Sequence, residues 1–138
     1  MLRLFVTVQL LLFLSFSQEI NAQDQHLIKS IYFGGGSYYI DEQQVQELIQ
    51  FLDSIPNIHQ FKITVHSHTD NIGGVQYNEW LSGQRSYMAI QKLINYSLSE
   101  EMIEIKDFGQ YNPVYDNDTM LGRLRNRRVD VIIWPLTM

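Results

Sequence analysis

A chain of 138 residues, 45% of them apolar, is long enough for one domain with a packed core and too hydrophobic to stay disordered. Its formal net charge of −5 makes nucleic acid a poor general partner. Cysteine is absent, which excludes a disulfide framework, a thiolate nucleophile and the acylated cysteine of a lipoprotein anchor.

At the start, Arg3 precedes an apolar run from Leu4 to Phe16, and polar Ser17, Gln18, Glu19 and Asn21 follow. Crossing a bilayer takes roughly 20 apolar residues. This run is shorter and is broken by Thr7 and Gln9, so a secretory signal over residues 1–22, cleaved after Ala22, is expected. The mature chain is then exported and has no transmembrane span. Residues 23–30 show no strong period and are expected to form a short segment ahead of a domain over 31–138.

Ile31, Tyr32 and Phe33 form a short strand-like run stopped by Gly34, Gly35 and Gly36. From Asp41, apolar Val45, Leu48, Ile49, Leu52 and Ile55 recur at helical spacing, with Asp41 and Glu42 at the positive helix end and Pro56 as terminator. Phe61, Ile63 and Val65 alternate with Lys62, Thr64 and His66, the period of a central strand packed on one face. A loop from Thr69 to Gly74 leads to a second helix, with Asn78 placed as its N-cap and Ala89, Ile90, Leu93 and Ile94 as its apolar stripe. Alternation at Ile103 and Ile105, and again at Val129, Val131 and Ile133, predicts two more strands. The order strand, helix, strand, helix, strand, strand describes one α/β (α+β) two-layer sandwich, a small sheet covered by two main helices.

The run His68, Thr69, Asp70, Asn71, Ile72, Gly73 continues into Tyr77, Asn78, Glu79, Trp80, Leu81, Ser82, Gly83, Gln84, Arg85. Two further pieces follow, Phe108 to Pro113 and Gly122 to Val129. Taken in this order they resemble the OmpA-like peptidoglycan-binding domain, with its HTDxxG and YNxxLSxxR signatures, over roughly Ile31 to Ile133. The resemblance implies a βαβαββ fold with a mixed sheet and a non-catalytic role at the periplasm, cell wall or outer membrane. The implied partner is peptidoglycan, held through the diaminopimelate of its stem peptide. Envelope proteins are further possible partners, and no cofactor is implied.

By that resemblance Asp70 and Arg85 clasp the zwitterionic end of diaminopimelate, a carboxylate meeting its ammonium and a guanidinium its carboxylate. Asn78 adds a hydrogen bond, Leu81 lines the floor, and Arg128 brings a second cation. Helical spacing puts Asn78, Leu81 and Arg85 on one stripe. Plainer readings stand beside these: Asp70 as turn chemistry, Asn78 as a helix cap, and Arg85 as a solvated surface cation.

Departures from the family pattern bear on affinity. Gly34 to Gly36 stand where side-chain contacts are usual, Ser67 precedes the HTD run in place of glycine, and Ser86 follows Arg85 in place of alanine. With neither lipobox nor barrel in this sequence, a free periplasmic module is expected; the alternative is an interaction scaffold whose wall binding is weak or lost. A third class, a metal-dependent hydrolase, rests on the alternation of His66, His68 and Asp70. It lacks a general base with an orienting partner. Glu100 and Glu101 are adjacent and would diverge, so they do not supply a glycosidase pair.

Overall fold

A computed structural model describes residues 26–135. The expected signal and its cleavage point lie outside the described residues. Among those described, no helix is long and apolar enough to cross a membrane.

Among the described residues four strands and three α-helices alternate: β1 (Leu27–Tyr32), α1 (Glu42–Asp53), β2 (Phe61–His68), α2 (Val75–Asn95), β3 (Ile103–Asp107), α3 (Met120–Asn126) and β4 (Arg128–Pro135). The sheet order is β1-β4-β2-β3, with β4 antiparallel to both neighbours and β2 parallel to β3. This is the expected mixed sheet, with β2 in its interior.

Alternation decides what each strand buries. Ile63, Val65, Val129, Val131 and Ile133 point one way, toward Leu48 and Leu52 of α1 and Ala89, Ile90 and Leu93 of α2. Burying each such side chain contributes about 1.5–3 kcal/mol. The register sets Thr64, His66 and His68 opposite Ile132, Asp130 and Arg128 on the other face.

Local chemistry fixes the helix ends. The Asp41 carboxylate accepts from the Gln44 amide at 2.9 Å and caps α1. Thr119 caps α3 in the same manner through the Gly122 amide. Gly122 is also confined: a Cβ there would collide with the Asp116 carbonyl oxygen.

Three expectations need revision. The first strand begins at Leu27, not Ile31, because residues 27–32 pair with β4 along their whole length. Its apolar period is masked by Lys29, which turns to Glu47 of α1 at 2.9 Å. The second helix begins at Val75 with Gly74 as N-cap, so Asn78 lies a full turn inside it. Finally, a short helix, α3, precedes the last strand where none was expected. Seven residues carry too little periodicity to declare a helix; its cap and Asn126 hold it instead. The Asn126 amide donates to the Tyr115 carbonyl and to Asn117 Oδ1, both at 2.8 Å, and its oxygen accepts from the Tyr115 amide.

Candidate functional site

Where β2 ends, the chain must turn sharply into α2, and Asp70 organises that turn. One carboxylate oxygen accepts from the Ile72 amide at 3.0 Å, an Asx-type turn. Gly73 follows at φ +102°, where a Cβ would be strained and would approach the Tyr77 ring to 3.1 Å. The second carboxylate oxygen is thereby left to face Arg127, whose Nη1 donates to it at 3.2 Å. Turn and ion pair are two uses of one side chain.

Arg85 enters from α2 and is fully buried. Its Nε donates to the Ser37 carbonyl at 2.8 Å, Nη1 to the His68 carbonyl at 3.0 Å, and Nη2 to the Gly34 carbonyl at 3.1 Å. The guanidinium also lies 4.9 Å from the centre of the Phe33 ring. A single side chain thus ties the β1–α1 loop to the end of β2. Burial pushes its pKa down to about 10, with Asp70 opposing that shift and Arg127 adding to it, so it remains a cation at neutral pH. The reading of Arg85 as a solvated surface residue is overturned. Three of a guanidinium's five donors are taken by these carbonyls, which leaves two.

Asn78 is buried one turn inside α2. Its amide nitrogen donates to Gln110 Oε1 at 2.9 Å, and its Oδ1 has no hydrogen-bond partner. A buried acceptor without a donor costs about 1–3 kcal/mol. Asn78 is therefore not the cap of this helix.

These groups meet in one cavity of about 270 Å³. Gly35 and Gly36 form one wall, Thr69, Asp70, Ile72 and Gly73 another, and Tyr77, Asn78, Leu81 and Arg85 of α2 a third, with Arg127 completing the rim. Asp70, Asn78, Leu81 and Arg85 are thus brought together. Arg128 is not. It lies across the sheet, where its Nε donates to both oxygens of Asp130, at 3.0 and 3.2 Å. The pocket's second cation is Arg127, whose own Nε is fixed on the Phe33 carbonyl at 3.0 Å. Strand alternation carries this information: Arg127 is two residues before core-facing Val129, while Arg128 is one. Neither Gln110 nor Tyr77 has any such periodic mark.

The alternating histidines divide from Asp70 as well. His66 and His68 share the far face of the sheet, where Phe108 stands edge-on to one ring and stacks on the other at 4.9 Å, whereas Asp70 turns toward Arg127. Burial, helped by the Arg128 charge and opposed by Asp130, holds the His68 pKa down to about 4. Among the described residues no three His, Cys, Asp or Glu side chains gather in a metal-binding group.

With two guanidiniums and one carboxylate, the pocket carries one excess positive charge. It can receive an ammonium beside Asp70 and Asn78 Oδ1 and carboxylates beside Arg85 and Arg127.

The OmpA family matches residues 32–127. The outer-membrane lipoprotein YfiB of Pseudomonas aeruginosa is 36% identical over 52% of this chain and 43% of its own length. The peptidoglycan-binding protein ArfA of Mycobacterium tuberculosis is 27% identical over 75% of this chain and 32% of its own. The chain therefore spans less than half the length of either relative. The crystal structure of the peptidoglycan-associated lipoprotein from Burkholderia pseudomallei superposes with a TM-score of 0.65, at 27% identity, over 76% of this chain and 89% of that one. Two of these relatives are named as lipoproteins, one of the outer membrane and one associated with peptidoglycan, and the third is named as a peptidoglycan-binding protein. Since the family match takes in β2, α2 and the arginine-bearing α3 together, the chain belongs to the OmpA family.

Proposed function

We propose that this chain binds peptidoglycan without catalysing a reaction, taking the diaminopimelate end of the stem peptide into the pocket between β2, α2 and Arg127. The observation that carries the reading is that the Asp70 carboxylate and the buried, unpartnered Oδ1 of Asn78 line one cavity with two arginines. Diaminopimelate ends in an ammonium and a carboxylate on one carbon. The ammonium takes Asp70 and the Asn78 oxygen. Its carboxylate takes Arg127 and the two Arg85 donors left free by the loop carbonyls. Binding exchanges the internal Asp70–Arg127 contact for two contacts to ligand, so the net gain comes chiefly from satisfying the Asn78 oxygen. A lysine-type stem has the ammonium without that carboxylate and leaves the arginines unmatched.

Sedimentation with purified sacculi tests this. The protein is expected to pellet with diaminopimelate-type walls and far less with lysine-type walls. Asp70→Asn keeps an oxygen for the Ile72 amide but removes the charge, and is expected to weaken wall binding by about tenfold or more, the range of a charge-assisted hydrogen bond. Equal sedimentation with both walls, or an unaffected Asp70→Asn variant, would refute the assignment.

One observation favours a second reading, an OmpA-fold scaffold for an envelope protein. Arg85 spends three donors on backbone carbonyls and so has a full structural role without ligand. That reading requires a folded protein that binds neither wall type.

A further inference from the structure

Beyond the charged pocket, the first turns of α2 carry an aromatic cluster that nothing covers among the described residues. Tyr77 lines the pocket. Trp80, one helical turn on, has its ring centre 5.8 Å from that of Tyr77, and Tyr38 from the β1–α1 loop meets Trp80 edge-on at 6.0 Å. Their exposures are 45%, 50% and 41%. Three large rings left half in water, fixed against each other and continuous with a binding pocket, form the kind of apolar surface that soluble domains reserve for contacts.

We infer that Trp80, with Tyr38 and Tyr77, forms a sugar subsite that receives the glycan to which the stem peptide is attached. The inference rests on the reading of the pocket as a diaminopimelate site. In peptidoglycan two residues separate diaminopimelate from the lactyl group of the sugar, a reach of about 7 Å at about 3.3–3.6 Å per extended residue. A ring one aromatic spacing beyond Tyr77 stands within that reach. The chemistry also agrees. A pyranose presents a face of C–H groups rimmed by hydroxyls, and the muramyl carboxyl is consumed in the amide to the peptide, so the glycan is neutral. The cluster is itself uncharged and apolar, whereas the cations are held in the pocket where the peptide's carboxylates would lie.

Calorimetric titration of the full chain with two probes tests the subsite. One is the diaminopimelate-containing stem tetrapeptide; the other is the same peptide on its N-acetylglucosamine–N-acetylmuramic acid disaccharide. The disaccharide is expected to tighten binding about tenfold, equivalent to about 1.4 kcal/mol. Trp80→Ala is expected to erase that gain and leave affinity for the free peptide unchanged, and Trp80→Phe to retain part of it. Equal affinity for the two probes, or an equal loss on both in Trp80→Ala, overturns the subsite while leaving the pocket assignment standing. Failure of both probes to bind overturns the two together.

Discussion

Arg127 and Arg128 are adjacent in sequence, yet each pairs with an aspartate on a different side of the sheet, and the two pairs differ in what surrounds them. Arg128 and Asp130 are neighbours on β4, closed in by Ser30, which donates to Asp130 at 2.6 Å, and by the Tyr115 ring 5.7 Å from the guanidinium. Arg127 and Asp70 come from elements far apart in the chain and border a cavity with an unsatisfied acceptor in its wall. The first pair is complete in itself. The second borders a cavity with room for a further group, and that access is what separates a candidate binding site from a structural ion pair.

The largest expected effect breaks the scaffold on the pocket side. Arg85→Ala would leave the Ser37, His68 and Gly34 carbonyls without their donor inside the protein, at a cost of about 3–5 kcal/mol, as for loss of a buried charged partner. Denaturant unfolding should show it, together with loss of wall binding. Should Arg85→Ala unfold at the wild-type midpoint, the staple role assigned to this side chain is wrong.

Acid acts on the opposite face. The folded pKa of His68 is depressed from 6.5 to about 4, so between those values the unfolded chain binds a proton that the folded chain refuses. Stability should therefore be full above about pH 6.5 and fall as pH drops toward 4, by on the order of 3 kcal/mol at about 1.4 kcal/mol per pKa unit. The groups facing this ring include Arg128, Asp130 and His66. Comparing unfolding of the wild type with His68→Gln across this window isolates the effect; identical pH profiles would contradict it.

The smallest change is also the most direct test of the comparison. Arg127→Gln should reduce binding to diaminopimelate-type sacculi about tenfold, equivalent to about 1.4 kcal/mol, while Arg128→Gln should spare binding and lower stability by about 1–2 kcal/mol through loss of the charge-assisted bonds to Asp130. An interchange of these two phenotypes would show that the ligand meets the other face.

Periodicity made most of this architecture legible. Ile63 and Val65 announced a strand buried on one side, Leu48 and Leu52 a helix lying over it, and both are core residues. Asp70, Asn78, Leu81 and Arg85 were legible through family signatures, and they line one cavity. What stayed hidden depends on contacts between segments far apart. Leu27 to Ser30 form a strand because β4 pairs with them, not because their own pattern requires one. Asn78 seemed suited to a cap by residue type, yet the turn fixed by Asp70 and Gly73 starts the helix a turn earlier. The family resemblance points to Arg128, whereas the alternation counted back from core-facing Val129 points to Arg127.

The position of β4 has a consequence for how the molecule comes into being. Residues 128–135 lie between β1 and β2, so β1 stays unjoined to the β2–β3 pair until this last segment of the sheet is in place. Only its insertion zips the two halves together and sets Arg127 against Asp70. Ligand competence is therefore acquired late, and a partial product ending before β4 would expose two unpaired strand edges, a state open to proteolysis and self-association.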